Sequence, residues 1–242
     1  MWHEASVGTL AFIDAEGFVL KTTYLARMPE PGKATLVDQL HDELMAVLEE
    51  RPDLTLCFAG RRQVPLEGPG RHGLSAPQEA TVDVYFLVDF FHVAEHLADA
   101  ARAIAGEDTP EATVMAAGGR ETIRAFPDDG HRVLKSSLFD KLTSEARRDD
   151  VQQVIDYLAA QAREERLGYA EVEQRNLPIG TGITEAAAKT IVGVRMKRAG
   201  ARYQEHSSQT VMLFRSAVLS QRFDSLACEL ERSYVADVKD AA

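Results

Sequence analysis

Between residues 7 and 105 the hydrophobic period switches repeatedly between that of a strand and that of a helix, which limits the chain to folds combining both. Residues 7–28, VGTLAFIDAEGFVLKTTYLARM, are two runs rich in β-branched and aromatic residues around Asp14-Ala15-Glu16-Gly17. They predict a β-hairpin whose turn uses Gly17 at positive φ. PEPG at 29–32 breaks the strand. Leu36, Leu40, Leu44, Val47 and Leu48 then recur at helical spacing, so 33–50 is expected to be a helix closed by Arg51-Pro52. Leu54 to Phe58 reads as a short buried strand, ATVDVYFLVDFF at 80–91 as a second strand, and 92–105 as a helix. Strands alternating with helices point to an α/β core.

Between the two later strands the pattern stops. GRRQVPLEGPGRHGLSAP, residues 60–77, is rich in Gly, Pro and Arg and has no periodicity, so an irregular loop is expected. Residues 108–170 read as mostly helical, with Val151, Val154, Ile155 and Leu158 marking one amphipathic stretch and Gly118-Gly119 read as a turn. LPIGTG at 177–182 is a turn, and Thr184 can cap a helix running to about Arg198, ended by Gly200. A last helix is expected over about 208–220. The expected division is a partial core at 1–107, a helical insertion at 108–176, and C-terminal core helices at 177–242.

Composition narrows the function classes. The 242 residues carry a net charge of −11, which argues against a surface that binds nucleic acid throughout. The distribution is uneven: between Thr184 and Arg222 there are seven basic residues and two acidic ones. The seven are Lys189, Arg195, Lys197, Arg198, Arg202, Arg215 and Arg222, so a local basic patch is possible. Cys57 and Cys228 form no metal or redox motif and read as two buried thiols of a cytoplasmic protein. No run approaches the roughly 18 apolar residues of a membrane span, and no secretory signal opens the chain.

The segment richest in chemistry is PIGTGITEAAAKTIVGVRMKRAGARY, residues 178–203. A glycine turn delivers Glu185 into the first turn of a helix, with Lys189 four residues on. A carboxylate beside a row of cations suits a site handling Mg²⁺ and a phosphate backbone. The same pattern equally serves the helix dipole and an ion pair with Lys189. Asp89, ending an apolar strand, is a further site candidate; its other reading is a cap for the helix that follows.

This segment resembles the C-terminal pattern of the ISKra group of bacterial insertion-sequence transposases, close to PIGSG-x-x-EAACK followed by RMK-x-SGMRW. DFFHVAEHL at 89–97 resembles that group's DFYHAxEHL element. QTVMLFRSAVLSQRFD at 209–224 and DAEGFVLKTTYLARMPE at 14–30 match further segments in the same order. The resemblance implies an RNase H-like α/β fold with a helical insertion before the last acidic helix, and DNA strand cleavage and transfer with Mg²⁺. It makes Glu185 the third acid of a DDE triad, and assigns DNA contacts, at transposon ends, to Lys189, Arg195, Lys197, Arg198 and Arg202.

The departures bear on activity. The family's first catalytic aspartate lies on a strand before the hairpin, and this chain begins at the hairpin, so a fold lacking its first strand is expected. Asp14 matches the hairpin turn rather than a catalytic position. The second aspartate belongs to an ADGA-like element, where this chain reads CFAGRRQV, without an acid. Thr181, Ala188, Ala201 and Tyr203 replace the family's Ser, Cys, Met and Trp. If residues 58–67 are encoded TTC GCC GGA CGG CGC CAG GTA CCT TTG GAG, reading one base later gives SPDGARYLW and restores Asp-Gly-Ala. The expectation is a truncated, degenerate copy without catalysis, holding DNA or an intact transposase weakly.

A second constellation, His92-Val93-Ala94-Glu95-His96, places two imidazoles on one helix face, as in the inverted zinc-peptidase motif. A downstream carboxylate such as Glu165 or Glu171 could complete a zinc-hydrolase site. The other reading is that both histidines hydrogen-bond near the strand end with Glu95 exposed.

Overall fold

A computed structural model describes residues 5–29, 34–60, 83–139, 147–197 and 204–240. The chain is mixed α/β, mostly helical, with two small sheets. It divides into two compact units, residues 1–52 with 182–242, and residues 53–181. These borders differ from those at 107 and 176 because helices in 108–176 share a core with the strands and helix before them.

The first unit is built on a hairpin. Strands β1 (Ser6–Ile13) and β2 (Val19–Arg27) pair antiparallel from Ser6↔Arg27 to Phe12↔Lys21, with a register shift between Phe12 and Ile13. The turn is held by Asp14, whose Oδ1 accepts from the backbone N–H of Phe18 at 2.7 Å and of Glu16 at 3.1 Å. Gly17 has φ 89°, the left-handed conformation expected for it. Helix α1 (Ala34–Glu50) buries Leu36, Leu44 and Leu48. Gly8 of β1 makes room for this packing: a Cβ there would lie 2.5 Å from Leu40 Cδ1, and the leucine would have to shift.

The C-terminal part of the unit contributes α7 (Gly182–Ala188), a single π-helical turn (Lys189–Gly193), α8 (Val194–Met196), α9 (Glu205–Leu219) and α10 (Phe223–Asp240). Ala26, Ala187, Ile191 and Met212 form its buried apolar cluster. Helix α9 satisfies the free edge of β2 with side chains. Gln209 accepts from the Met28 N–H at 2.8 Å and donates to the Ala26 carbonyl at 3.3 Å. Ser220 Oγ accepts from the Tyr24 N–H at 2.9 Å. An exposed strand edge is a template for unwanted pairing, and these bonds close it.

The second unit holds the parallel pair β3 (Leu56–Gly60) and β4 (Val84–Val88), in register from Leu56↔Val84 to Gly60↔Val88. Helices α2 (Phe90–Ala105), α3 (Pro110–Ala125), α4 (Gly130–Phe139), α5 (Arg148–Arg163) and α6 (Tyr169–Gln174) follow. Their core includes Val88, Val93, Leu97, Ile123, Val151, Leu158, Tyr169 and Val172, all nearly inaccessible to solvent. The amphipathic stripe read at 151–158 is thus the buried face of α5.

Several boundaries depart from the sequence expectations. Strand β4 stops at Val88 and α2 begins at Phe90, where a strand to residue 91 was expected. Gly118-Gly119 is not a turn but lies within α3. Gly119 allows close approach there, because a Cβ would sit 3.2 Å from Leu97 Cδ2 of α2. Thr184 does not cap a helix: it lies inside α7, and its hydroxyl hydrogen-bonds to that of Thr9 at 2.7 Å. Helix α9 starts three residues before the expected 208, and α10 was not anticipated. Most of the irregular stretch at 60–77 lies outside the described residues, as do Arg198 and Arg202. Among the described residues no helix is long and apolar enough to cross a membrane.

Candidate functional site

In open α/β sheets, ligands commonly sit beyond the carboxyl ends of parallel strands. In the second unit that position is occupied by the chain's own PIGT loop. The Phe90 N–H donates to the Ile179 carbonyl at 3.0 Å, and the Asp89 N–H donates to the Gly60 carbonyl at 3.1 Å. The Cys57 thiol faces the Pro178 carbonyl at 3.8 Å. Burial pushes that thiol's pKa up to about 11, so Cys57 is a protonated packing residue at neutral pH rather than a nucleophile.

Asp89 is the centre of this arrangement. It is 1% exposed. Its Oδ1 accepts from the backbone N–H of Phe91 at 2.8 Å and of His92 at 3.3 Å, closing the N-terminus of α2. Its Oδ2 accepts from the Thr181 N–H at 3.1 Å and from the Thr181 hydroxyl. A Cβ on Gly180 would fall 2.7 Å from the Phe91 ring and 3.3 Å from Asp89 Oδ1, so a side chain there would displace that ring. Two donors on each oxygen engage the carboxylate, so what the geometry displays is the capping reading of this residue. Thr181 was not singled out as a partner in the sequence; its only signal is a hydroxyl residue between two turn glycines.

Glu185 belongs to the first unit. It lies in the first turn of α7, as the glycine turn implied, and is half-buried. Lys189, Arg195 and Lys197 are exposed. They do not continue one uninterrupted α-helix: the π turn at 189–193 inserts an extra residue, so four-residue steps counted from Glu185 lose phase beyond it. The π turn is held from α9, where Arg215 donates to the Thr190 carbonyl from Nη2 at 2.6 Å and Nε at 3.1 Å. Arg222 likewise makes a two-pronged contact with Glu43, Nη2 to Oε2 at 2.8 Å. The Arg222 hydrogen bonds hold the Glu43 carboxyl below the usual range, against a smaller opposing effect of burial. Two of the seven cations counted in this region therefore serve internal structure.

Among the described residues no group of three or more His, Cys, Asp and Glu side chains is placed to hold a metal ion. Strand β3, with Leu56, Cys57, Phe58, Ala59 and Gly60, offers no carboxylate. The described residues thus do not fit a two-metal site of the kind phosphodiester chemistry uses.

The two histidines do meet. His92 Nε2 and His96 Nε2 are 3.3 Å apart, and His92 Nδ1 lies 3.3 Å from Glu95 Oε2. Tyr157 of α5 packs on both rings, 4.6 Å from His96 and 6.1 Å from His92 between centroids. Burial first, and then the neighbouring His92, lower the His96 pKa, so its ring is neutral at neutral pH. Glu171, one of the proposed downstream ligands, accepts from the Tyr85 hydroxyl at 2.9 Å, and Glu165 sits at positive φ just after α5. Neither forms a three-carboxylate-or-histidine group with the pair.

No family model, curated protein or solved structure matches the chain.

Proposed function

We propose that this chain is a transposase-derived protein with an RNase H-like core that does not cut DNA. The observation that carries the reading is the contact between Asp89 and Thr181. These residues belong to the two segments most like the ISKra transposases, DFFHVAEHL and PIGTGITEAAAK, and are 92 positions apart. Segments that share a family's pattern only by chance have no reason to interlock through a buried carboxylate, a hydroxyl and a glycine contact.

Loss of cleavage follows from the acids. In-line attack on a phosphodiester uses two metals about 3.5–4 Å apart, bridged by several carboxylates. Glu185 supplies one. The second family position falls in CFAGRRQV, which has none. Asp89 cannot substitute without giving up the hydrogen bonds that cap α2 and anchor Thr181. Mg²⁺, the family's cofactor, has no carboxylate cluster among the described residues, so no metal-dependent step is assigned to the chain. Lys189, Arg195 and Lys197 retain the charge to hold a phosphate backbone. Binding of duplex DNA, or of an intact transposase, is the activity that remains.

The test separates the two properties. Supercoiled plasmid incubated with the protein and Mg²⁺ or Mn²⁺ is expected to stay uncut. A labelled duplex is expected to bind weakly, with affinity falling steeply as salt rises. Metal-dependent nicking that disappears in Glu185→Gln would overturn the proposal by showing a completed active site.

A further inference from the structure

We infer that His92 and His96 form a binding site for one divalent transition-metal ion, independent of the transposase reading. Two imidazoles bound to a tetrahedral ion at about 2.05 Å place their nitrogens about 3.3 Å apart. The Nε2 atoms of His92 and His96 are 3.3 Å apart. They occupy positions i and i+4 of α2, one turn apart on the same helix face.

The surroundings prepare both rings. His92 directs Nδ1 at Glu95 Oε2 at 3.3 Å. A carboxylate accepting from the far nitrogen fixes the tautomer and leaves the Nε2 lone pair for a metal, the outer-sphere arrangement common to metal-bound histidines. Without metal, His96 Nε2–H can donate to that lone pair. On binding, the His96 proton moves to Nδ1, both Nε2 lone pairs turn to the ion, and no net proton is released.

Tyr157 of α5 lies over the pair, its ring 4.6 Å from that of His96 and 6.1 Å from that of His92 between centroids. An open groove of about 470 Å³, lined by His96, Asp99, Arg102, Asp150, Gln153 and Tyr157, gives solvent a route to the cluster.

Two imidazoles with water in the remaining positions suit borderline ions such as Zn²⁺, Co²⁺, Ni²⁺ and Cu²⁺, and disfavour Mg²⁺ and Ca²⁺, which take oxygen ligands. The site is a binding site; among the described residues it has no third protein ligand of the kind zinc hydrolases use.

Untagged full-length protein titrated with Co²⁺ and then Zn²⁺ tests this. One ion per chain is expected, with Zn²⁺ displacing Co²⁺ and Mg²⁺ in excess displacing neither. His92→Ala and His96→Ala are each expected to weaken binding about tenfold or more. Circular dichroism of the metal-free variants checks that they fold. Should His96→Ala fail to fold, long-range ¹H–¹⁵N spectra of the wild type with Zn²⁺ answer the same question, through shifts at Nε2 of both rings. Absence of Co²⁺ and Zn²⁺ binding at micromolar concentrations would overturn the inference. So would binding that His92→Ala leaves unchanged, or shifts confined to other histidines.

Discussion

A single carboxylate decides much of the second unit. Asp89 accepts four hydrogen bonds from Phe91, His92 and Thr181 while 1% exposed. It therefore joins the end of β4, the start of α2 and the PIGT loop. In sequence it was visible only as an acid closing an apolar run. That position fits a catalytic residue and a cap equally, and only the donors around it distinguish them. Removing it leaves the first N–H groups of α2 and the half-buried Thr181 N–H without their acceptor. Asp89→Ala is expected to cost about 2–4 kcal/mol, measured by urea denaturation. Asp89→Asn should fall between, since an amide has one accepting oxygen and can serve either the α2 N–H groups or Thr181, not both. A loss below about 0.5 kcal/mol in Asp89→Ala would mean that the cap carries little of the fold.

At the scale of elements, legibility followed burial. The hairpin at 6–27, α1 and α5 were readable because their apolar residues recur at the period of the element and face a core. Helix α10 has a comparable pattern in Leu226, Leu230 and Tyr234, but Leu230 is 49% and Tyr234 70% exposed, so the pattern does not report a core there. Gly118-Gly119 looked like punctuation because glycine is a poor helix former. The close approach of α3 to Leu97 outweighs that local cost. The π turn at 189–193 was not legible at all, since its support comes from α9. There Arg215 binds the Thr190 carbonyl twice. A π turn changes the backbone pairing and leaves a carbonyl for an outside donor. Arg215→Ala is expected to destabilise the protein by about 1–2 kcal/mol in thermal or urea unfolding. The same variant should sharply raise amide exchange at residues 189–195. Unchanged exchange there would show that the turn holds itself.

For the whole molecule, charge and acid content set what it can do. A net charge of −11 repels a phosphate backbone, and the basic residues around 189–202 must act against that background. Any duplex binding is therefore local and easily screened. On the proposed transposase reading, cleavage would need an acid where this chain reads CFAGRRQV, which makes the history of that stretch decisive. The most direct test of descent from a DDE transposase is the nucleotide sequence of codons 58–77. The account predicts that reading residues 58–67 one base later yields Asp-Gly-Ala, with a compensating shift restoring the frame by the high seventies. Codons that cannot give Asp-Gly-Ala in either shifted frame would contradict it.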